Sequence, residues 1–155
     1  MTRNWTCKHH SELSKEALYA ILALRTEDFV VEQKCPYQEV DGLDLIGDTC
    51  HPMVEEGGRL LGYLRLLDPQ HHNGDVVIGR VVIAPQGRGQ GLGHELMEQA
   101  LAAIGQRWPG LPIYLSAQAH LQGYYGRYGF VAVTEVYLED DIPHIGMRRA
   151  ATELS

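Results

Sequence analysis

The spacing of apolar residues changes period several times along the chain, and each change marks an element. Residues 4–10 read as a first strand. "SELSKEALYAILALRTEDFVVEQ" then places Leu13, Ala17, Leu18, Ile21, Leu22 and Leu24 at helical spacing. Ser14, followed by Lys15 and Glu16, is a fitting N-cap for that helix. A loop follows, "CPYQEVDGLDLIGDT", broken by Pro36, Gly42 and Gly47. Two hairpin-like strands come next, near 50–56 and 59–67, joined at "EEGG". "DPQHHNGD" is a polar loop, and "VVIGRVVIA" (76–84) is rich in β-branched residues, as a buried strand is. Pro85 ends it.

Leu92, Leu96, Met97, Ala100, Leu101 and Ile104 then repeat at helical spacing up to about Arg107. "PIYLSAQ" predicts a strand over 112–117, and a short helix is expected near 119–127. Strands near 130–138 and 143–149 complete the pattern. The order implies an α/β fold: a central mixed β-sheet flanked by helices, with one crossover from strand 76–84 through a helix to strand 112–117. No internal repeat or linker interrupts it, and 155 residues fit a single domain spanning 1–155.

Composition narrows the function classes. Forty-five per cent hydrophobic residues suit a globular domain with one core. No apolar run approaches the ~18 residues that cross a membrane. The opening segment lacks the apolar stretch and cleavage site of a signal peptide, so a cytoplasmic location is expected. A net charge of −7 argues against general nucleic-acid binding and is compatible with a cationic substrate. Cys7, Cys35 and Cys50 are three widely spaced cysteines, expected to be buried, reduced thiols rather than a disulfide framework.

"APQGRGQGLG" (84–93) carries glycine at 87, 89, 91 and 93 between a buried strand and a helix start. Unpaired N–H groups and a positive helix end make such a place an anion site. The dinucleotide pattern G-x-G-x-x-G fails, because Leu92 or His94 stands where its last glycine belongs. The P-loop pattern fails for want of G-K-[ST]. What remains, Arg88-Gly89-Gln90-Gly91-Leu92-Gly93, resembles the R/Q-x-x-G-x-G/A motif of GNAT-fold N-acetyltransferases. "SAQAHLQGYYGRYGF" (116–130) resembles that family's later segment, with Tyr125, Gly129 and Phe130 filling its Y-x-x-x-G-F ending. "LRTEDFVVEQKCPYQEVDGLDLIGDT" (24–49) and "TEVYLEDDIPHIGM" (134–147) carry a closer resemblance, to the ElaA group, over nearly the whole chain.

The resemblance implies acetyl transfer from acetyl-CoA to an amine by direct attack in a ternary complex. Backbone N–H groups of Arg88 to Gly93 would hold the pyrophosphate, Val81, Val82 and Ile83 would pair with the pantetheine arm, and Gln118 falls where the family often has Asn. Tyr125 is the implied acid for the CoA thiolate. Three residues offer a base: His144 in "IPHIG", Glu135 and His51. Arg25, Glu32, Gln33 and His51 are candidate acceptor-binding residues, and Glu39, Asp41 and Asp44 make the loop beside them acidic. A CoA-binding sensor or scaffold without turnover is the alternative reading. Cys35, Cys50 and His51 lack paired metal-ligand spacing, so no metal is expected. The expected partners are acetyl-CoA and an amine. Dimers are common in this fold, but no interface is legible in the sequence.

Overall fold

The computed structural model describes residues 3–34 and 38–151. The expected thiol environment of Cys35 therefore lies outside the described residues. Strands β1 (Arg3–His9), β2 (Cys50–Glu56) and β3 (Arg59–Leu67) form an antiparallel meander. "EEGG" turns β2 into β3 with Gly57 and Gly58 both at positive φ, as a two-residue hairpin loop demands. β4 (Val76–Ile83) continues antiparallel on β3 and runs parallel to β5 (Ile113–Gln118). α2 (Leu92–Arg107) makes the crossover between them. β8 (Ile142–Arg149) pairs with β5, and β6 (Val131–Ala132) and β7 (Tyr137–Glu139) both pair with β8.

The sheet is covered on both faces, which is why β2 and β3 are buried along most of their length. α1 (Lys15–Arg25) places Ile21 and Leu24 against Met53, Tyr63, Val82 and Ala84. On the other face Leu96, Met97, Ala100 and Ile104 of α2 pack with Leu64, Ile78, Leu115 and Met147. Ser14 caps α1 as its sequence suggests, its hydroxyl accepting from Ala17 N at 3.0 Å.

Two elements differ from the sequence expectation. The first helix does not continue as an α-helix to residue 33. From Thr26 to Glu32 it widens to π geometry, shown by Gln33 N donating to Asp28 O five residues back. The expected strand over 130–138 is divided into β6 and β7. Thr134 Oγ1 accepts the Gly146 N–H at 2.8 Å, so a side chain replaces a ladder partner and interrupts pairing. Asp140 and Asp141, both at positive φ, then form the tight turn into β8.

Candidate active site

β4 contains the backbone irregularity on which the site depends. Tyr63 pairs with Val82 but Arg65 pairs with Gly79, so Arg80 and Val81 together oppose Leu64. This is a β-bulge, with Arg80 at φ +55. β4 and β5 are registered only from Val76–Ile78 to Ile113–Leu115. Beyond that point no pairing joins them, and a cavity of about 340 Å³ opens between Gly79–Val81 on one side and Ser116–Gln118 on the other. A Cβ on Gly79 would meet nothing within 4 Å, so the wall is bare backbone at that residue.

The glycine loop lies at the end of β4. Gly87 is required by packing, since a Cβ there would lie 2.7 Å from Leu92 Cδ1. Gly89 and Gly91 have φ +77 and +74, and a Cβ on either would project into open space. Arg88 N donates to Pro85 O, and the next loop bond is Glu95 N to Gly91 O, already inside α2. Gly91 is the N-cap of α2 and has no side chain to cap it. The stretch between is a concave run of backbone N–H groups at the positive end of a 16-residue helix. Leu92 is buried with Val54 and Leu61 and anchors the loop, while Gly93 lies under the Tyr124 hydroxyl.

The loop's polar side chains have partners. Arg88 binds Glu32 through Nη1 (2.8 Å) and Asp28 through Nη2 (3.0 Å), and its Nε donates to Ile83 O. This ties the loop to the π segment, whose Phe29 and the adjoining Gln33 line the cavity. The bond to Arg88 holds the Glu32 carboxyl below its ordinary range. Gln90 accepts from Arg3 and donates to Gln86 O.

Tyr125, in α3 (Gln122–Gly126), is buried at the cavity wall. Its hydroxyl has no hydrogen-bond partner among the described residues and is not sealed from solvent. Burial, reinforced by Tyr128, raises its pKa, so it keeps its proton at neutral pH. Tyr124 packs edge-on against it. His144 lines the cavity beside Gln118, its ladder partner. Its Nδ1–H donates to Ile142 O at 2.8 Å, and its Nε2 faces Glu139 Oε2, 3.4 Å away. Of the residues 81–83, Val81 lines the cavity, whereas the Val82 side chain is buried on the opposite face with Ile21 and Met53.

Three sequence-based assignments need correction. Glu135 is exposed and does not line the cavity; the carboxylates that do are Glu139 and Asp140. Arg25 is fully buried and cannot touch an acceptor. Its Nε donates to Glu39 at 2.7 Å and its Nη1 to Asp44 at 2.6 Å. Arg65 forks onto Asp41 and reaches Asp44, and Arg80 reaches Glu39 and Asp41. The acidic loop is thus a neutralised internal frame of three arginines and three carboxylates, not an attractive rim. His51 is also fully buried, accepting at Nδ1 from the Tyr63 hydroxyl (2.6 Å) and donating from Nε2 to Asp44 O (3.0 Å). Burial outweighs the pull of Asp44 and lowers its pKa to about 4, so it is a neutral structural group and not a base.

That depression has a measurable consequence. The unfolded chain takes up the proton near pH 6.5 and the folded chain only near 4, so stability is full above 6.5 and falls as pH drops through this window. The expected loss is about 3 kcal/mol, read by urea unfolding at pH 7, 5.5 and 4.5. His51→Gln should be less stable at pH 7 and flatter below it. A flat wild-type profile would show that His51 is not held neutral. Asp44 adds its own loss only below its ordinary carboxylate range, because Arg25 outweighs the desolvation that opposes it.

Sequence reasoning missed Arg65, Arg80 and Glu139. The first two had a legible signal: each is an arginine set inside an apolar run, "LLGYLRLL" and "VVIGRVVI". Among the described residues, no group of three or more His, Cys, Asp or Glu side chains is arranged to hold a metal. No described helix is long and apolar enough to cross a membrane.

The sequence matches the family model described as "Acetyltransferase (GNAT) domain" over residues 11–151. The chain belongs to the GNAT acetyltransferase family. This GNAT chain is 50% identical to protein ElaA of Escherichia coli K12 over 145 residues, 94% of this chain and 95% of that one. The crystal structure of E. coli ElaA superimposes with a TM-score of 0.91 at 49% identity, covering 96% of this chain and 99% of that one. An acyl-CoA N-acyltransferase from Pseudomonas aeruginosa superimposes with a TM-score of 0.94 at 72% identity, covering 96% and all of the respective chains. An aminoglycoside 6'-N-acetyltransferase solved with coenzyme A shares the fold alone, at 12% identity and a TM-score of 0.71 over 97% of this chain and 99% of that one. The GNAT chain is an acyltransferase with a mixed open sheet flanked by helices.

Proposed function

We propose that this single domain, spanning 1–155, transfers acetyl from acetyl-CoA to a primary amine on a small molecule, peptide or protein, by direct attack in a ternary complex. Two observations support this reading: a cavity between the parted strands with a protonated Tyr125, unpartnered among the described residues, in its wall, and an uncapped run of N–H groups in the loop that follows β4. Acetyl-CoA supplies the activated acetyl thioester. The N–H groups from Gly89 to Gly93 would hold its pyrophosphate, where the open space beside Gly89 and Gly91 admits close backbone approach. The bulged backbone at Val81 would polarise the thioester carbonyl.

On the acceptor side, Glu139 and Asp140 attract the protonated amine. His144 Nε2 takes its proton, and the neutral nitrogen attacks. As the carbon–sulfur bond breaks, Tyr125 donates its hydroxyl proton to the departing sulfur and is reprotonated from solvent. Gln118 and Gln33 line the path between. Unpaired thiols at Cys7 and Cys50 suit a cytoplasmic setting.

The test begins with binding. Acetyl-CoA at a hundredfold excess over Kd should stabilise the fold by about 2.7 kcal/mol, a rise in Tm of roughly 5–10 °C. Gly91→Val should lose this shift, because a β-branched residue resists the φ +74 that shapes the loop. Gly91→Asn, which tolerates that region, should keep most of it. Normal binding by Gly91→Val would mean that the loop does not hold the donor. Thiol release across an amine panel then reads turnover and ranks acceptors.

A further inference from the structure

Two sulfur atoms and a guanidinium meet far from the acetyl-transfer cavity. Cys7 stands opposite Pro52 in the β1–β2 ladder, and Cys50 stands opposite His9. The two cysteines are thus offset by two residues and project on the same face. Cys7 packs against the core cluster that contains Cys50, so the two thiols share one side of the ladder. Arg107, in the last turn of α2, joins both: Nε donates to Cys50 Sγ at 3.1 Å and Nη2 to Cys7 O at 2.9 Å. A cavity of about 250 Å³, lined by Cys7, Arg107, Pro52 and Gln106, opens on the Cys7 side of the pair, with Cys50 buried behind it. α2 has 16 residues, so Arg107 lies about 24 Å along the helix from the glycine loop.

We propose that Cys7 and Cys50 form an oxidation site for small hydroperoxides, closing to a reversible intrachain disulfide. The nucleophile is Cys50. The neighbouring Cys7 thiol lowers its pKa against the desolvation that raises it, and Arg107 adds to the lowering. The Cys50 thiolate attacks the peroxide oxygen, the O–O bond breaks, and Cys50 becomes a sulfenic acid while the alkoxide leaves as alcohol after taking a proton. Cys7 sulfur then attacks the Cys50 sulfur and water departs. Two thiols and one hydroperoxide yield one disulfide, one alcohol and one water.

Diagonal ladder positions lie about 7–8 Å apart between Cα atoms, slightly beyond the ~4.4–6.8 Å that a relaxed disulfide spans. Closure must draw the strands together. Pro52, opposite Cys7, has no N–H to donate, so the ladder is weakest where it must move. A bond closed under such strain is easily reduced again.

The test uses a Cys35→Ser background, which leaves only this pair. Limiting hydrogen peroxide should remove both thiols from a thiol count, lower the intact mass by two hydrogens without dimer formation, and be fully reversed by dithiothreitol. Adding Cys7→Ser should stop the reaction at Cys50, where dimedone traps the sulfenic acid; Cys50→Ser should leave Cys7 unlabelled. Arg107→Gln should slow the reaction about tenfold at neutral pH by raising the Cys50 pKa. Two countable thiols after a dose that oxidises free glutathione would overturn the proposal, as would a crosslink between chains or dimedone labelling that survives Cys50→Ser.

Discussion

Tyr125→Phe is expected to lower kcat by about 10²–10⁴-fold, the usual contribution of a positioned general acid. Donor affinity, measured by calorimetry or by the acetyl-CoA-dependent rise in Tm, should stay within about threefold of wild type. The substitution is clean because the hydroxyl has no hydrogen-bond partner among the described residues: nothing buried there is left unsatisfied, and the ring keeps its contacts with Tyr124 and Phe130. Tyr125 is suited to its role because burial raises its pKa, so it stays protonated and ready to donate where a CoA thiolate (~8.5 for a thiol) needs a proton. A variant that retains kcat within threefold would move the acid elsewhere. Donor binding with no thiol release from either protein, across a broad amine panel, would favour a domain that binds without turnover.

The second large effect concerns stability. Asp44→Ala should cost about 3–5 kcal/mol in chemical denaturation, because it leaves Arg25 and Arg65 short of a charge partner in a buried place. A domain of this size typically has about 5–15 kcal/mol in all, so the variant should be close to unfolding at 37 °C. Asp44→Asn keeps an oxygen acceptor and should lose less. The Asp44 backbone carbonyl also receives His51 Nε2, so release of the 38–48 loop should loosen the His51–Tyr63 pair behind it. A cost below 1 kcal/mol for the alanine variant would show that the arginines find water instead, and that the frame is not sealed.

Much of the architecture was legible because it rests on local rules. The β2–β3 hairpin follows from two glycines between two apolar runs, and α2 follows from Leu92, Leu96, Met97, Ala100 and Ile104. The glycine loop was legible for the same reason, since only its own backbone decides its shape. The cavity was not. It arises from one extra residue in β4, and apolar period carries no information about how a strand registers with its neighbour. The π widening after Arg25 was hidden likewise, because no residue of 26–32 is buried and no apolar stripe marks the change of turn. Charge misled most: Arg25, Glu39, Asp44 and His51 read as exposed or functional when taken singly. They are buried because distant partners neutralise or hydrogen-bond them, and sequence separation conceals such pairs. Glu135 falls in the interruption between β6 and β7, exposed and away from the cavity, whereas Glu139, four residues on in β7, lines it, and nothing local marks that break.

The divergence of β4 and β5 also bears on how the chain avoids sticking to itself. Strand edges with free N–H and C=O groups invite other chains to pair with them. Here two such edges face one another inside a cleft, with β3 behind one and β8 behind the other. A foreign β-strand carries side chains on both its faces and would have to force the sheet apart to enter. A slender molecule with a few amide groups need not. The break in the sheet thus works as a filter on thickness, hiding sticky backbone from proteins while leaving it open to a thread.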